Sequence, residues 1–188
     1  MKQNDHFIQE SKRIMNRNQT PGQFYVLYVD ITAFHTVNNV YGNESGDMLL
    51  DRMEDFLYRC PGVCLCARVF ADLFLCLSFL EEGTDVESIM VNTDERIEHF
   101  LSGQRAMYPA CKLKAACGIC LVKNSDIVEA VEGANVARKR SKNQMTIKSV
   151  LYDQDLQNQT AAMHETEREI YRALVEGKFC FHLQPKVE

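Results

Sequence analysis

The sequence predicts an α+β domain in which helices pack on a central antiparallel sheet. Residues 24–31 form a dense run of apolar, β-branched and aromatic residues, typical of a buried strand. Two further strand-like runs, 63–69 and 73–79, are joined by so few residues that they should form an antiparallel hairpin. Helical spacing on either side gives the order β-α-β-β-α-β, which is the split-βαβ or ferredoxin-like pattern.

The other elements follow from apolar spacing and from glycine and proline. Residues 7–15 have apolar side chains at helical spacing, with Asp5 as the expected N-cap, and Thr20-Pro21-Gly22 interrupts that helix. Residues 45–59 carry an apolar stripe that indicates a second helix, and Pro61-Gly62 separates it from the hairpin. We further predict helices over 85–101 and 127–142, and strands over 112–122 and 146–152.

The polar stretch 153–159 interrupts the chain and predicts a domain boundary. Residues 161–174 beyond it have the spacing of an amphipathic helix, and residues 179–183 resemble a strand. We therefore expect a first domain over residues 1–153 and a second, truncated piece over 154–188.

Composition excludes several classes of protein. The chain is 46% hydrophobic, has a net charge of -5, and has no apolar run approaching the roughly 18 residues that span a bilayer. A mildly acidic chain is a poor nucleic-acid binder, and the basic cluster 138–142 is typical of a solvated helix end. The polar start has no signal core, so we expect a cytoplasmic fragment without membrane contact, although a longer protein could be membrane-anchored.

Eight cysteines raise the question of metal or disulfide sites. Cys64 and Cys66 alone do not complete a zinc site, and Cys117 and Cys120 should lie on opposite faces of one strand. We expect free thiols, mostly in the core.

The segment after the first strand carries a motif formed by Asp30, Phe34, Asn38, Gly42, Gly46 and Asp47. At this spacing the segment resembles the signature D-x-D-x-F-K-x-x-N-D-x-x-G-H-x-x-G-D of GGDEF domains, the family of diguanylate cyclases. The resemblance covers residues 7–152 and implies the nucleotide-cyclase palm variant of the predicted fold.

The resemblance also implies roles for individual residues. The hairpin turn, residues 70–74, stands where the family has G-G-D/E-E-F, and Arg68, Asp72 and Phe74 match that region. By resemblance Asp30 and Asp72 would hold Mg²⁺, which neutralises triphosphate charge. Asn38 and Asp47 would read the guanine of GTP, whose edge mixes donors and acceptors. Lys142 aligns with a phosphate-contacting lysine, near Ala134-Asn135-Val136-Ala137, which resembles A-D-x-A.

Departures from the family pattern are equally informative. Phe70 and Ala71 replace the two glycines that let the backbone approach a nucleotide. Leu73 replaces the acid implicated in the chemical step and can neither accept a proton nor carry charge. His35 and Thr32 replace the signature's lysine and second aspartate, and residues 61–64 lack the charges of the product-inhibition motif R-x-x-D. We therefore expect no catalytic residue and no cyclase activity in this chain.

The C-terminal piece has an amphipathic helix of the type E-x-x-I-x-x-A-L followed by an aromatic run that ends in Q-P. The residues of this pattern are Glu167, Ile170, Ala173, Leu174, Gln184 and Pro185. The pattern resembles the opening of an EAL domain, the cyclic-di-GMP phosphodiesterase family.

Three functional hypotheses remain open at this point. The first is a degenerate GGDEF regulatory module of a bacterial signalling protein, which binds GTP and modulates an EAL phosphodiesterase in the same polypeptide. The second is a residual diguanylate cyclase. The third is a structural scaffold, for example one that pairs in a homodimer.

Overall fold

The protein is described by a computed structural model over residues 2–20, 22–142 and 149–180. The chain divides into two compact units, Met1–Tyr152 and Asp153–Glu188. In chain order the elements are α1 (Lys2–Arg17), β1 (Gly22–Thr32), α2 (Phe34–Tyr41), α3 (Asn43–Tyr58), β2 (Val63–Phe70), β3 (Leu73–Glu81), α4 (Val86–Met107), β4 (Lys114–Leu121), α5 (Ile127–Lys142), β5 (Val150–Leu151) and α6 (Gln154–Val175).

Five strands form one sheet in the order β2-β3-β1-β4-β5. β1 lies at the centre and pairs antiparallel with β3 on one side and with β4 on the other. β2 and β3 form the predicted hairpin, in which two residues join Phe70 to Leu73. β5 pairs with β4 in parallel. The predicted α+β fold class is confirmed, with one parallel strand added to the antiparallel sheet.

Helices cover both faces of the sheet because the side chains of β1 alternate between them. Leu27 and Val29 pack in one buried cluster with residues of α3 and α4. Val26 and Tyr28 pack in a second cluster with Phe7 of α1 and with α5. Asp30 continues the second series, so its side chain faces α5.

The cysteines follow the same division. Cys117 lies in the cluster with α3 and α4, and Cys120 in the cluster with α5, which confirms that they occupy opposite faces of β4. Burial raises the pKa of the Cys120 thiol to about 11, so the neutral form packs as a small hydrophobe. All eight cysteines are free thiols, and four of them are buried.

Helix α5 lies unusually close to the sheet at Gly118. A Cβ atom at this glycine would stand 2.0 Å from the carbonyl oxygen of Ala134 and 2.3 Å from the backbone nitrogen of Arg138. The Oγ of Ser141 accepts a hydrogen bond from the Cys117 nitrogen at 3.2 Å and fixes the last turn of α5 against β4. The side chains of this turn therefore reach the end of β1.

Several predicted boundaries are wrong. α1 begins before Asp5, which lies in its first turn and is not its N-cap. The sequence does not predict α2, although its residues 34–41 belong to the motif after β1. The polar residues 154–159 are helical, since the Asp153 side chain accepts a hydrogen bond from the Leu156 nitrogen at 2.8 Å and caps α6.

Two predicted strands are described only in part. Of residues 146–152, Val150–Leu151 form β5, and 146–148 lie outside the described residues. Of residues 179–183, the first two are not in a strand and the others are not described. Gln184 and Pro185 also lie outside the described residues.

In the second unit, Gln154–Val175 form one helix in which no residue is buried. Most of its large apolar side chains, which include Ile170 and Leu174, are exposed, whereas Leu156 is half-buried. No helix in the described residues is both long enough and apolar enough to cross a membrane.

The close approach at Gly118 predicts a sharp difference between two glycine substitutions. Gly118→Ala should lower the free energy of unfolding by about 2 to 3 kcal/mol, because the new methyl group meets the α5 backbone. Gly103→Ala, on the exposed face of α4 where a Cβ meets nothing within 4 Å, should raise it by about 0.5 to 1 kcal/mol. Urea denaturation measures both. A Gly118→Ala variant as stable as the wild type would contradict this packing.

Candidate functional site

The most buried charge of the predicted site is Asp30, near the end of β1. Only 2% of the residue is exposed. Its Oδ2 accepts hydrogen bonds from Nη1 of Arg138 and from Nζ of Lys142, the latter at 3.0 Å. Both cations come from the last turns of α5. An ionised carboxylate is costly to bury without counter-charges, and α5 supplies both of the cations that compensate Asp30.

Arg138 is fixed by more than this ion pair. Its Nε and Nη2 donate to the Oδ1 of Asn135 at 3.1 and 2.8 Å, and its guanidinium lies 5.3 Å from the centre of the Tyr28 ring. The side chain is only 10% exposed. The interpretation of 138–142 as a wholly solvated cluster is therefore wrong for Arg138. The helical spacing of Ala130, Ala134 and Arg138 was the signal that would have placed it on the buried face.

Asp72 lies beside this ion pair, in the two-residue turn between β2 and β3. Its carbonyl oxygen accepts a hydrogen bond from the Ile31 nitrogen at 3.2 Å, which fixes the turn to β1 next to Asp30. Desolvation raises the pKa of the half-buried Asp72 carboxyl, and the charge of Asp30 raises it further. Lys142 and Arg138 oppose this shift. The four charged groups thus share one electrostatic environment.

The residues that replace the family's turn motif do not close this region. Phe70 is 72% exposed, so its ring lies largely in solvent. Leu73 pairs with Asp30 across β3 and β1 and packs at the edge of the α1–α5 core. Ala71 adopts a left-handed conformation with φ of 40°, which a glycine would adopt with less strain.

Asn38 and Asp47 lie on the helix pair α2–α3, which follows directly after β1. Asp47 is exposed, whereas the Oδ1 of Asn38 is buried and has no hydrogen-bond partner. A Cβ at Gly46 would lie 1.8 Å from this oxygen, so the glycine leaves room for the amide next to Asp47. A buried amide oxygen without a partner is a site where a ligand donor would be favourable.

The C-terminal end of α4 supports this helix pair. Tyr108 packs edge-on against Tyr41 with ring centres 5.3 Å apart, and its hydroxyl donates to the carbonyl oxygen of Ser45 at 3.2 Å. The Tyr41 hydroxyl accepts from the Ala110 nitrogen at 3.2 Å. Sequence reasoning did not identify Tyr41 and Tyr108, because neither belongs to the motif that drew attention to this region.

Comparison with known proteins decides the family. The family model described as "Diguanylate cyclase, GGDEF domain" matches residues 3–148. The chain belongs to the GGDEF family. This is the domain family of cyclic-di-GMP signalling proteins. No curated protein matches the chain significantly.

Solved GGDEF domains share the fold. The GGDEF domain of DgcB from Caulobacter crescentus, in complex with c-di-GMP, is 17% identical with a TM-score of 0.62, over 78% of this chain and 88% of that one. The active GGEEF domain of a Vibrio cholerae diguanylate cyclase is 17% identical with a TM-score of 0.56, over 78% and 89%. The GGDEF domain of YfiN (TpbB) from Pseudomonas aeruginosa is 20% identical with a TM-score of 0.55, over 78% and 91%.

In this GGDEF domain, the residues predicted to hold Mg²⁺ do not fit that ion in the arrangement observed. Mg²⁺ needs free oxygen ligands in near-octahedral geometry, but two cationic side chains already occupy Oδ2 of Asp30. Asp72 is the only other acid predicted for the ion. Within the described part of the chain, no three His, Cys, Asp or Glu side chains are grouped as a metal site would require.

The two acids of the GGDEF site should respond differently to removal of their charge. Asp30→Asn should lower the free energy of unfolding by about 3 kcal/mol at neutral pH, because it leaves Arg138 buried without its carboxylate. Asp72→Asn should stay within about 0.5 kcal/mol of the wild type or be slightly more stable. Chemical denaturation measures the two variants side by side.

The sign for Asp72 follows from its raised pKa. An acid whose folded-state pKa exceeds its unfolded value stabilises the protein below the unfolded pKa, and this contribution is lost as pH rises through the folded pKa. The advantage of Asp72→Asn over the wild type should therefore grow from acid to neutral pH. Equal losses in both variants would mean that Asp72 is as tightly paired as Asp30.

The left-handed Ala71 predicts a stabilising change in the hairpin turn. Ala71→Gly should raise the free energy of unfolding by about 0.5 to 1 kcal/mol, because glycine relieves the positive φ. Ala110→Gly is the control, since Ala110 also lies in an exposed turn but has no positive φ and should lose stability. Thermal denaturation of both variants tests the turn. Destabilisation by both would show that Ala71 is not strained.

Proposed function

We propose that this domain is a regulatory GGDEF module without cyclase activity, which binds GTP and modulates an EAL phosphodiesterase in the same polypeptide. The observation that carries the proposal is the ion cluster at the end of β1. The acid that resemblance assigns to the metal, Asp30, is held by Arg138 and Lys142. Leu73, in place of the family's acid, adds no proton acceptor nearby.

Nucleotide binding is supported by groups distinct from those that catalysis would need. Asn38 offers an unpartnered buried amide oxygen, and Asp47 offers an exposed carboxylate on the adjacent turn of α3. Guanine presents N–H donors that suit these acceptors. Lys142, half-exposed and cationic, is suited to a phosphate group.

The partner and the place of action rest on resemblance. Glu167 and Ile170 lie on α6, whose sequence is similar to the opening helix of EAL domains. The exposed apolar side chains of α6 would be covered once such a domain folds against them. We propose that the module acts in the cytoplasm of a bacterium. We further propose that it can form a homodimer.

Calorimetry with GTP and Mg²⁺ tests the module. We expect the wild type to bind GTP and Asp47→Ala to lose at least about tenfold in affinity, because a charged hydrogen bond is worth about 1.5 to 3 kcal/mol. Asp55→Ala is the matched control, since Asp55 is exposed on the same helix two turns away. It should bind GTP like the wild type.

The same samples separate the other hypotheses. Incubation of the wild type with GTP and Mg²⁺ or Mn²⁺ should yield no cyclic-di-GMP by chromatography. Product that disappears in Asp72→Asn would instead support a residual cyclase. Absence of both product and GTP binding would leave a structural scaffold.

A further inference from the structure

The charges at the end of β1 balance without an added ion. Asp30 and Asp72 bring two acidic groups, and Arg138 and Lys142 bring two cations that act on both of them. A divalent metal placed between the acids would add two positive charges to this cluster. It would also have to share Asp30, the more buried acid, with the two cations that its Oδ2 already accepts hydrogen bonds from.

We propose that Arg138 is a built-in cation that replaces the divalent metal at the end of β1, so that a nucleotide phosphate binds here without a metal ion. This inference rests on the proposed function only in taking the end of β1 as the phosphate side of the site. The residue that carries it, Arg138, has no part in the family motifs matched by the sequence.

Arg138 is held too firmly to leave Asp30 when a metal is offered. Its guanidinium is bound by two hydrogen bonds to Asn135, by Asp30 and by the face of Tyr28. Displacement would leave a buried guanidinium without its carboxylate, which is strongly unfavourable. Asn135 is an amide and not an acid, so it orients the guanidinium without competing with Asp30 for its charge.

Lys142 has the complementary property. Its side chain is 51% exposed, and its terminal ammonium contacts Asp30. Because Arg138 alone keeps Asp30 compensated, Lys142 can turn towards a phosphate group without leaving the buried acid unpaired. Arg138 as the fixed cation and Lys142 as the movable one together supply the positive charge that a metal ion and a lysine would otherwise supply.

Mn²⁺ titration followed by electron paramagnetic resonance tests the inference without any catalytic readout. The wild type should have no Mn²⁺ site that depends on Asp30, so Mn²⁺ binding should be the same in the wild type and in Asp30→Asn. Arg138→Met should bind Mn²⁺ at least about tenfold more tightly than the wild type, because Asp30 is then open to the ion, and Arg138→Met/Asp30→Asn should lose that binding. Lys139→Met, an exposed neighbour on α5, should behave like the wild type.

A wild-type Mn²⁺ site that disappears in Asp30→Asn would overturn the inference. Circular dichroism establishes that each variant folds. If Arg138→Met does not fold, the wild type and Asp30→Asn decide the matter between them.

GTP calorimetry in EDTA provides the second arm. Affinity in EDTA should equal that in Mg²⁺ to within about threefold, whereas binding that EDTA abolishes would overturn the inference. If GTP binds under neither condition, the proposed nucleotide-sensing function and the phosphate-binding part of this inference both fail, and the Mn²⁺ titration still decides whether Arg138 takes the place of the metal at Asp30.

Discussion

The buried charge of Asp30 is the constraint on which the site depends. A carboxylate almost withdrawn from water requires counter-charges, and both come from the end of α5. α5 can deliver them only because Gly118 allows its backbone to lie against β4. A glycine in one strand thus determines the electrostatics at the end of another. The packing of α5 on β4 therefore determines which charges surround Asp30.

Three separate supports hold the site, and none requires the turn-motif residues that this chain has changed. The end of β1 is held by α5, the hairpin turn is bonded to β1 through Ile31 and Asp72, and α2–α3 rests on Tyr108. Each support uses backbone groups or residues outside the G-G-D/E-E-F positions. This independence explains how the fold can keep its shape with Phe70 and Leu73 at those positions.

Much of the fold could be predicted from the sequence because its signals are local. Residues 24–31 and the hairpin form continuous apolar runs, and α5 shows full helical periodicity, so each was recognised. α2 was missed because it has only eight residues and one buried side chain, Val37, which is too short a pattern to establish a period. The α6 start was missed because its cap, Asp153, stands among polar residues that otherwise resemble a loop.

The site was harder to predict because the role of a motif residue depends on its partner. Asp30 matched the family signature, but its chemistry is decided by Arg138, more than a hundred positions later, which resembled one charge in a solvated cluster. Once such a pair is buried, loss of either member is costly, whereas loss of both together is far less so. The buried charge of Arg138 is therefore by itself a sufficient reason for an aspartate at position 30. A match to the signature shows only that an aspartate stands at this position. The neighbouring side chains show whether a metal ion or an arginine compensates its charge.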